Sequence, residues 1–79
     1  MQKRRALQKL GAQIRKLREA RGASQEGFAA EVGFDRTYYG GIERGERNLS
    51  AMNLIKLAQT LATEVGDLFP PVKVFSDGK

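Results

Sequence analysis

The sequence predicts an all-α domain of five short helices, and three observations lead there. Apolar residues recur at steps of three and four, with Leu7, Leu10, Ile14 and Leu17 in the first segment and Leu54, Leu57, Ala58 and Leu61 in a later one. That spacing lines one face of a helix, and no stretch shows the sustained period-two alternation of a half-buried strand. Gly11, Gly22, Gly33 and Gly45 and the Pro70-Pro71 pair punctuate the chain, with Ser24, Asp35 and Ser50 standing where helix caps belong.

Each element follows from its own residues. The first helix should cover about residues 3–21 and end at Gly22, which adopts a left-handed cap without strain. Ser24 caps a second helix over residues 25–32, with Phe28, Ala29 and Val32 facing inward. Gly33-Phe34 makes a tight turn. Asp35 caps a third helix over residues 36–44, with Tyr39 and Ile42 inward, and Gly45 stops it. Ser50 caps the fourth. A fifth short turn, residues 64–69, ends at two prolines that cannot continue a helix. The tail from Pro70 to Lys79 should be flexible and frayed. Helices of this length are not stable alone, so their apolar faces must share one core: Leu7, Leu10, Ile14 and Leu17, then Phe28, Val32, Tyr39 and Ile42, then Leu54, Leu57 and Leu61.

Composition narrows the function. At 79 residues the chain is one domain, and a domain of that size buries only about 60% of the surface its unfolded chain exposes. It has no cysteine and no histidine, so disulfides and the usual zinc-ligand sets are excluded and no cofactor is expected. The missing cysteine fits a reducing cytoplasm. No apolar run approaches the roughly 20 residues of a membrane span, and Lys3, Arg4 and Arg5 lack the apolar stretch behind them that a secretory signal needs. Fourteen Lys and Arg face nine Asp and Glu, for a net charge of +5. The excess is concentrated early: Glu19 is the single acid among eight cations up to Arg21. Such a segment favours phosphate or an anionic membrane surface; read plainly, it is a solvated helix face.

The segment from Ser24 to Arg44 carries the function. It is a capped short helix, a glycine turn and a second capped short helix, the organisation of a helix-turn-helix. In that motif the second helix enters the major groove and its first residues reach base edges. Arg36, Thr37 and Tyr38 occupy that first turn. Arginine pairs with guanine O6 and N7, and threonine meets a thymine methyl or a phosphate; exposed in solvent, they would be ordinary surface residues. Asp35 suits a cap better than a reader. Two glycines within the helix, Gly40 and Gly41, cost about 1 kcal/mol each relative to alanine, which points to close approach to DNA or to drift on an exposed face.

The run SQEGFAAEVGFDRTYYGGIERGERNLS resembles the Cro/Xre class of phage-repressor-like (lambda repressor-like) domains, through Ser24-Gln25, Phe28-Ala29, Gly33 and Ile42-Glu43-Arg44-Gly45. Within that class, DRTYYGGIERGERN is especially similar to the controller proteins of restriction–modification systems. The resemblance covers roughly residues 6–69. It implies a five-helix fold and a sequence-specific transcription regulator of double-stranded DNA. It implies that Gln25 contacts a phosphate and the recognition helix, a role that a helix N-terminus suits. It implies that Arg44, Arg47, Asn48 and Ser50 hold the DNA backbone, with Arg47 reaching toward the minor groove. Many members carry a polar base-reading side chain at the Gly41 position, so its absence shifts weight to indirect readout. It also implies a structural ion pair between Arg18 and Glu43, and a homodimer formed through the C-terminal region. A chain this small has little surface for selection, and two-fold dimers reading half-sites about 34–36 Å apart solve that problem. Asn53, Ile55, Leu68 and Phe69 are the dimer candidates, unless Leu68 and Phe69 close the monomer core.

Other readings stand beside this one. A helix-turn-helix bundle can serve as an antitoxin or another protein-interaction module, with DNA binding secondary. An enzyme is not expected, because no nucleophile–base pair, phosphate loop or paired carboxylates are present. RNA is disfavoured because the A-form major groove is too narrow for a recognition helix. RNA polymerase is a further partner for an activator, through Glu31, Asp35 or Glu46, which are otherwise surface charge.

Overall fold

The computed structural model describes residues 2–76, and among them four α-helices follow one another: α1 Lys3–Ala20, α2 Gln25–Val32, α3 Arg36–Glu43 and α4 Ala51–Leu61. Two 3-10 turns complete the chain, Val65–Leu68 and Val72–Phe75, and no strand occurs in the described part. The expected fifth helix is therefore a single 3-10 turn. Its segment is confined between a left-handed residue, Ala62, and Pro70. It closes with Asp67 N–H donating to Glu64 O at 2.9 Å and Phe69 N–H to Gly66 O at 3.2 Å, the tighter pattern of short runs. Val72–Phe75, expected to fray, packs on α1, and Lys9 Nζ donates to the Val74 carbonyl. The expectation for residues 77–79 lies outside the described residues.

The caps form as read. Ser24 Oγ accepts from Gly27 N–H at 3.0 Å, Asp35 Oδ2 from Thr37 and Tyr38 N–H at 3.0 and 3.1 Å, and Ser50 Oγ from Asn53 N–H at 3.1 Å. Each satisfies a donor that the helix itself leaves open. Gly33 turns α2 into α3 with φ of 90°, a region in which a Cβ is penalised.

Leu10, Ile14, Phe28, Ala29, Tyr39, Ile42, Leu57, Ala58 and Leu68 form the buried core. Leu17, Val32, Leu54 and Leu61 pack against it at its edge, and Leu7 is half-buried. Gly11 is not punctuation but a crossing point inside α1. A methyl group there would lie 2.3 Å from the Ile42 carbonyl oxygen, so the two backbones touch. Gly45 plays a similar part beside Gln8, at φ of 77°. These contacts set α3 rigidly on α1.

Candidate nucleic-acid interface

α2 and α3 place one capped helix start on the surface. Arg36 and Thr37 are exposed in the first turn of α3. Arg36 Nη1 pairs with Glu26 at 3.2 Å, and both side chains are mostly solvent-exposed. Such a pair contributes about 0–1 kcal/mol, so a phosphate or guanine can displace the glutamate. Tyr38 is half-buried rather than free. Phe34 meets its ring edge-on with centroids 5.4 Å apart, and Asn53 Nδ2 donates to its hydroxyl at 2.9 Å. Tyr39, about 100° further round the helix, is fully buried, with its ring 5.3 Å from that of Phe28.

Behind α3 stands a carboxylate with every lone-pair direction used. Glu43 Oε2 accepts from Arg18 Nε at 2.7 Å and from the Tyr39 hydroxyl; Oε1 accepts from Arg18 Nη2 at 3.2 Å and Gln25 Nε2 at 3.0 Å. Arg18 Nη1 continues to the Ala23 carbonyl at 2.8 Å. Arg18 and Glu43 are both buried. Burial alone would raise the Glu43 carboxyl, but hydrogen bonds from Arg18, Tyr39 and Gln25 outweigh it and hold the group below its ordinary value. The bond to Glu43 holds Arg18 above its own, against the opposing effect of burial. Burial pushes the Tyr39 hydroxyl well up, and its bond to Glu43 adds to that. Gln25 thus joins the start of α2 to the end of α3.

The loop after α3 adds cations to the same surface. Arg44 is exposed and pairs with Glu46 at 3.1 Å, and the Arg44 bond keeps the exposed Glu46 carboxyl below its usual value. Arg47 lies across Gly41. Asn48 is exposed and borders an apolar groove of about 430 Å³. The Ser50 hydroxyl is engaged as the α4 cap.

A helix-turn-helix family model matches residues 14–68. The chain belongs to the helix-turn-helix family, Cro/Xre type. It is 42% identical over 66 residues to the control protein C.MunI of a Mycoplasma species, covering 82% of this chain and 89% of that one. With the control protein C.SmaI of Serratia marcescens it shares 42% over 59 residues, 75% and 70% of the two chains. Among solved structures, the restriction-modification controller protein C.AhdI from Aeromonas hydrophila matches with a TM-score of 0.77 and 51% identity, covering 80% of this chain and 96% of that one. The family and these relatives make the chain a DNA-binding transcription regulator.

In this regulator the structure gathers Gln25, Arg36, Thr37, Gly41, Arg44 and Arg47 around α3. It separates the dimer candidates. Leu68 is fully buried in the monomer core and offers no surface to a partner, while Phe69 and Ile55 are 38% and 39% exposed. Asn53 is half-buried and tied to Tyr38. Sequence reasoning missed Glu26 as the partner of Arg36 and Tyr39 as a donor to Glu43. The second was within reach, since residues 39 and 43 are one helical turn apart. The first depended on the angle between α2 and α3.

Proposed function

We propose that the regulator binds a two-fold symmetric operator as a homodimer, in the cytoplasm, as the controller protein of a restriction–modification system. The observation that carries the operator reading is the exposed first turn of α3, with Arg36 and Thr37 beside a capped helix start and Arg44 and Arg47 on the adjoining surface. Arg36 reads guanine, Thr37 meets a thymine methyl or phosphate, and Gln25, Asn48 and Ser50 set register on the backbone. One copy measures 38 × 23 × 22 Å and has one such helix among the described residues. Reading two major grooves about 34–36 Å apart therefore takes two copies. Exposed Ile55 and Phe69, with Val72 and Val74 close in sequence, supply apolar surface for that contact. The names of C.MunI, C.SmaI and C.AhdI support the restriction–modification setting. Glu31 and Glu46 sit in exposed ion pairs and Asp35 caps α3, and no feature of the described residues singles them out as a surface for RNA polymerase.

The test is selection of binding sites from random duplex DNA, followed by titration against salt. A two-fold symmetric site is expected, with log affinity falling against log salt by about 0.9 per phosphate neutralised. Arg36→Ala should flatten selection at one position of each half-site. Weak, unselective binding to every duplex would reject the operator and turn attention to protein partners, as for an antitoxin. A methyltransferase or endonuclease gene beside this one is the expected genomic setting.

A further inference from the structure

Arg47 occupies the place of a side chain that the recognition helix lacks. A methyl group at Gly41 would come 3.0 Å from Arg47 Cγ and 3.2 Å from its Nε. Gly41 stands one turn after Thr37 and one turn before Arg44, at the centre of the stripe those exposed residues define. Gly41 itself is buried. The arginine stem therefore lies on the face of α3 that the operator reading turns toward DNA, not away from it in the loop.

A second observation fixes the guanidinium. Arg47 Cζ stands 5.8 Å from the centroid of the Tyr38 ring, a geometry in which the ring face attracts a cation. Tyr38 is in turn held by Phe34 and by the Asn53 amide. Arg36 and Arg44 each carry an exposed glutamate partner, whereas no carboxylate pairs with Arg47 among the described residues. Glu46 feels the charge of Arg47 only at longer range, without an ion pair.

We propose that Arg47 is a specificity-determining residue that reads a base edge of the operator across the Gly41 position, with Gly41 and Tyr38 as its positioning residues. The helix gives up its own side chain at residue 41 so that a loop arginine can lie there, backed by a ring. A guanine, with acceptors at O6 and N7, is the base whose edge matches a guanidinium. This assignment rests on α3 being the helix that enters the groove, and it departs from the backbone role that resemblance gives Arg47.

The experiment is a double-mutant cycle with Gly41→Leu, Arg47→Ala and their combination, read by site selection from random duplexes and by anisotropy at fixed salt. Both single variants are expected to flatten preference at the same position of each half-site and to lose about tenfold in operator affinity, the scale of one good base contact. The combination should bind no worse than either. Tyr38→Leu should flatten that same position, while leaving the Arg36 position selective. Leucine raises helix propensity over glycine, so the melting temperature of Gly41→Leu should not fall. If it does fall, Gly41→Ala, which asks Arg47 to shift by only a few tenths of an ångström, carries the same cycle with a smaller loss. If Arg47→Ala weakens all sequences alike, Arg47 holds the backbone and the proposal fails. If the Gly41→Leu loss persists undiminished beside Arg47→Ala, leucine clashes with DNA directly and the proposal again fails. A wild-type protein that selects Arg36-dependent sites while these variants select identically overturns this assignment alone; a wild type that selects nothing overturns the operator reading as well.

Discussion

Glu43 shows how a buried charge can be tolerated in a domain with a thin stability margin. Its desolvation is offset only because Arg18, Tyr39 and Gln25 together fill both oxygens. Glu43→Gln keeps the shape but leaves the Arg18 guanidinium buried without its countercharge, and stranding one partner of a buried pair costs about 3–5 kcal/mol. The melting temperature should drop clearly, and operator affinity should drop with it because α3 loses its seat; an unchanged melting temperature would remove the structural role. The pH dependence has a definite sign. The folded-state carboxyl is lowered, so its contribution is fully present above the unfolded value of about 4.3 and is lost as pH falls through the lower folded value. Thermal melts at pH 7 and at pH 3 should show the gap between wild type and Glu43→Gln narrowing in acid. The Arg18–Glu43 pair was legible in the sequence by resemblance. The Tyr39 and Gln25 bonds were not, because they depend on how closely α2, α3 and α1 converge.

The capping residues illustrate what is local about an element. Ser24, Asp35 and Ser50 accept hydrogen bonds from amides two or three residues along, so a short window of sequence contains the whole interaction. The end of α4 is different. Ala62 closes it with φ of 56°, a left-handed conformation that costs an L-residue roughly 1–2 kcal/mol and glycine much less. Ala62→Gly should therefore raise stability, by about 0.5–1 kcal/mol after the added freedom of the unfolded chain is subtracted. Chemical denaturation checks it through a higher midpoint at unchanged slope. The two turns after α4 escaped sequence reading as helix or as frayed tail. Their 3-10 geometry comes from confinement before Pro70 and from docking on α1, neither of which periodicity records.

At the scale of the molecule, adjacent residues divide between the core and a proposed interface. Leu68 is fully buried and Phe69 is partly exposed. Leu68→Ala should open the core and cost about 2–5 kcal/mol, seen as a large drop in melting temperature. Phe69→Ala should keep the monomer folded while shifting sedimentation at micromolar concentration from dimer to monomer. A Phe69→Ala protein that remains dimeric would place the interface elsewhere. Operator affinity of Phe69→Ala should also become more concentration-dependent, since half-site occupancy then lacks its partner.

The sequence by itself determined the helical class, the boundaries of α1 to α3 within a residue, the capped start of α4, and the helix-turn-helix that names the family. These are set by interactions spanning a few residues and by a 3.6-residue apolar period. Only the tertiary structure decided that Gly11 is a helix crossing, that Leu68 rather than Phe69 is enclosed, that Asn53 serves Tyr38, and that Arg47 lies over Gly41. Each of these depends on the approach of segments distant along the chain or across a turn, where a few ångströms decide whether a side chain is core, cap or reader, and the spacing of residue types carries no such distance.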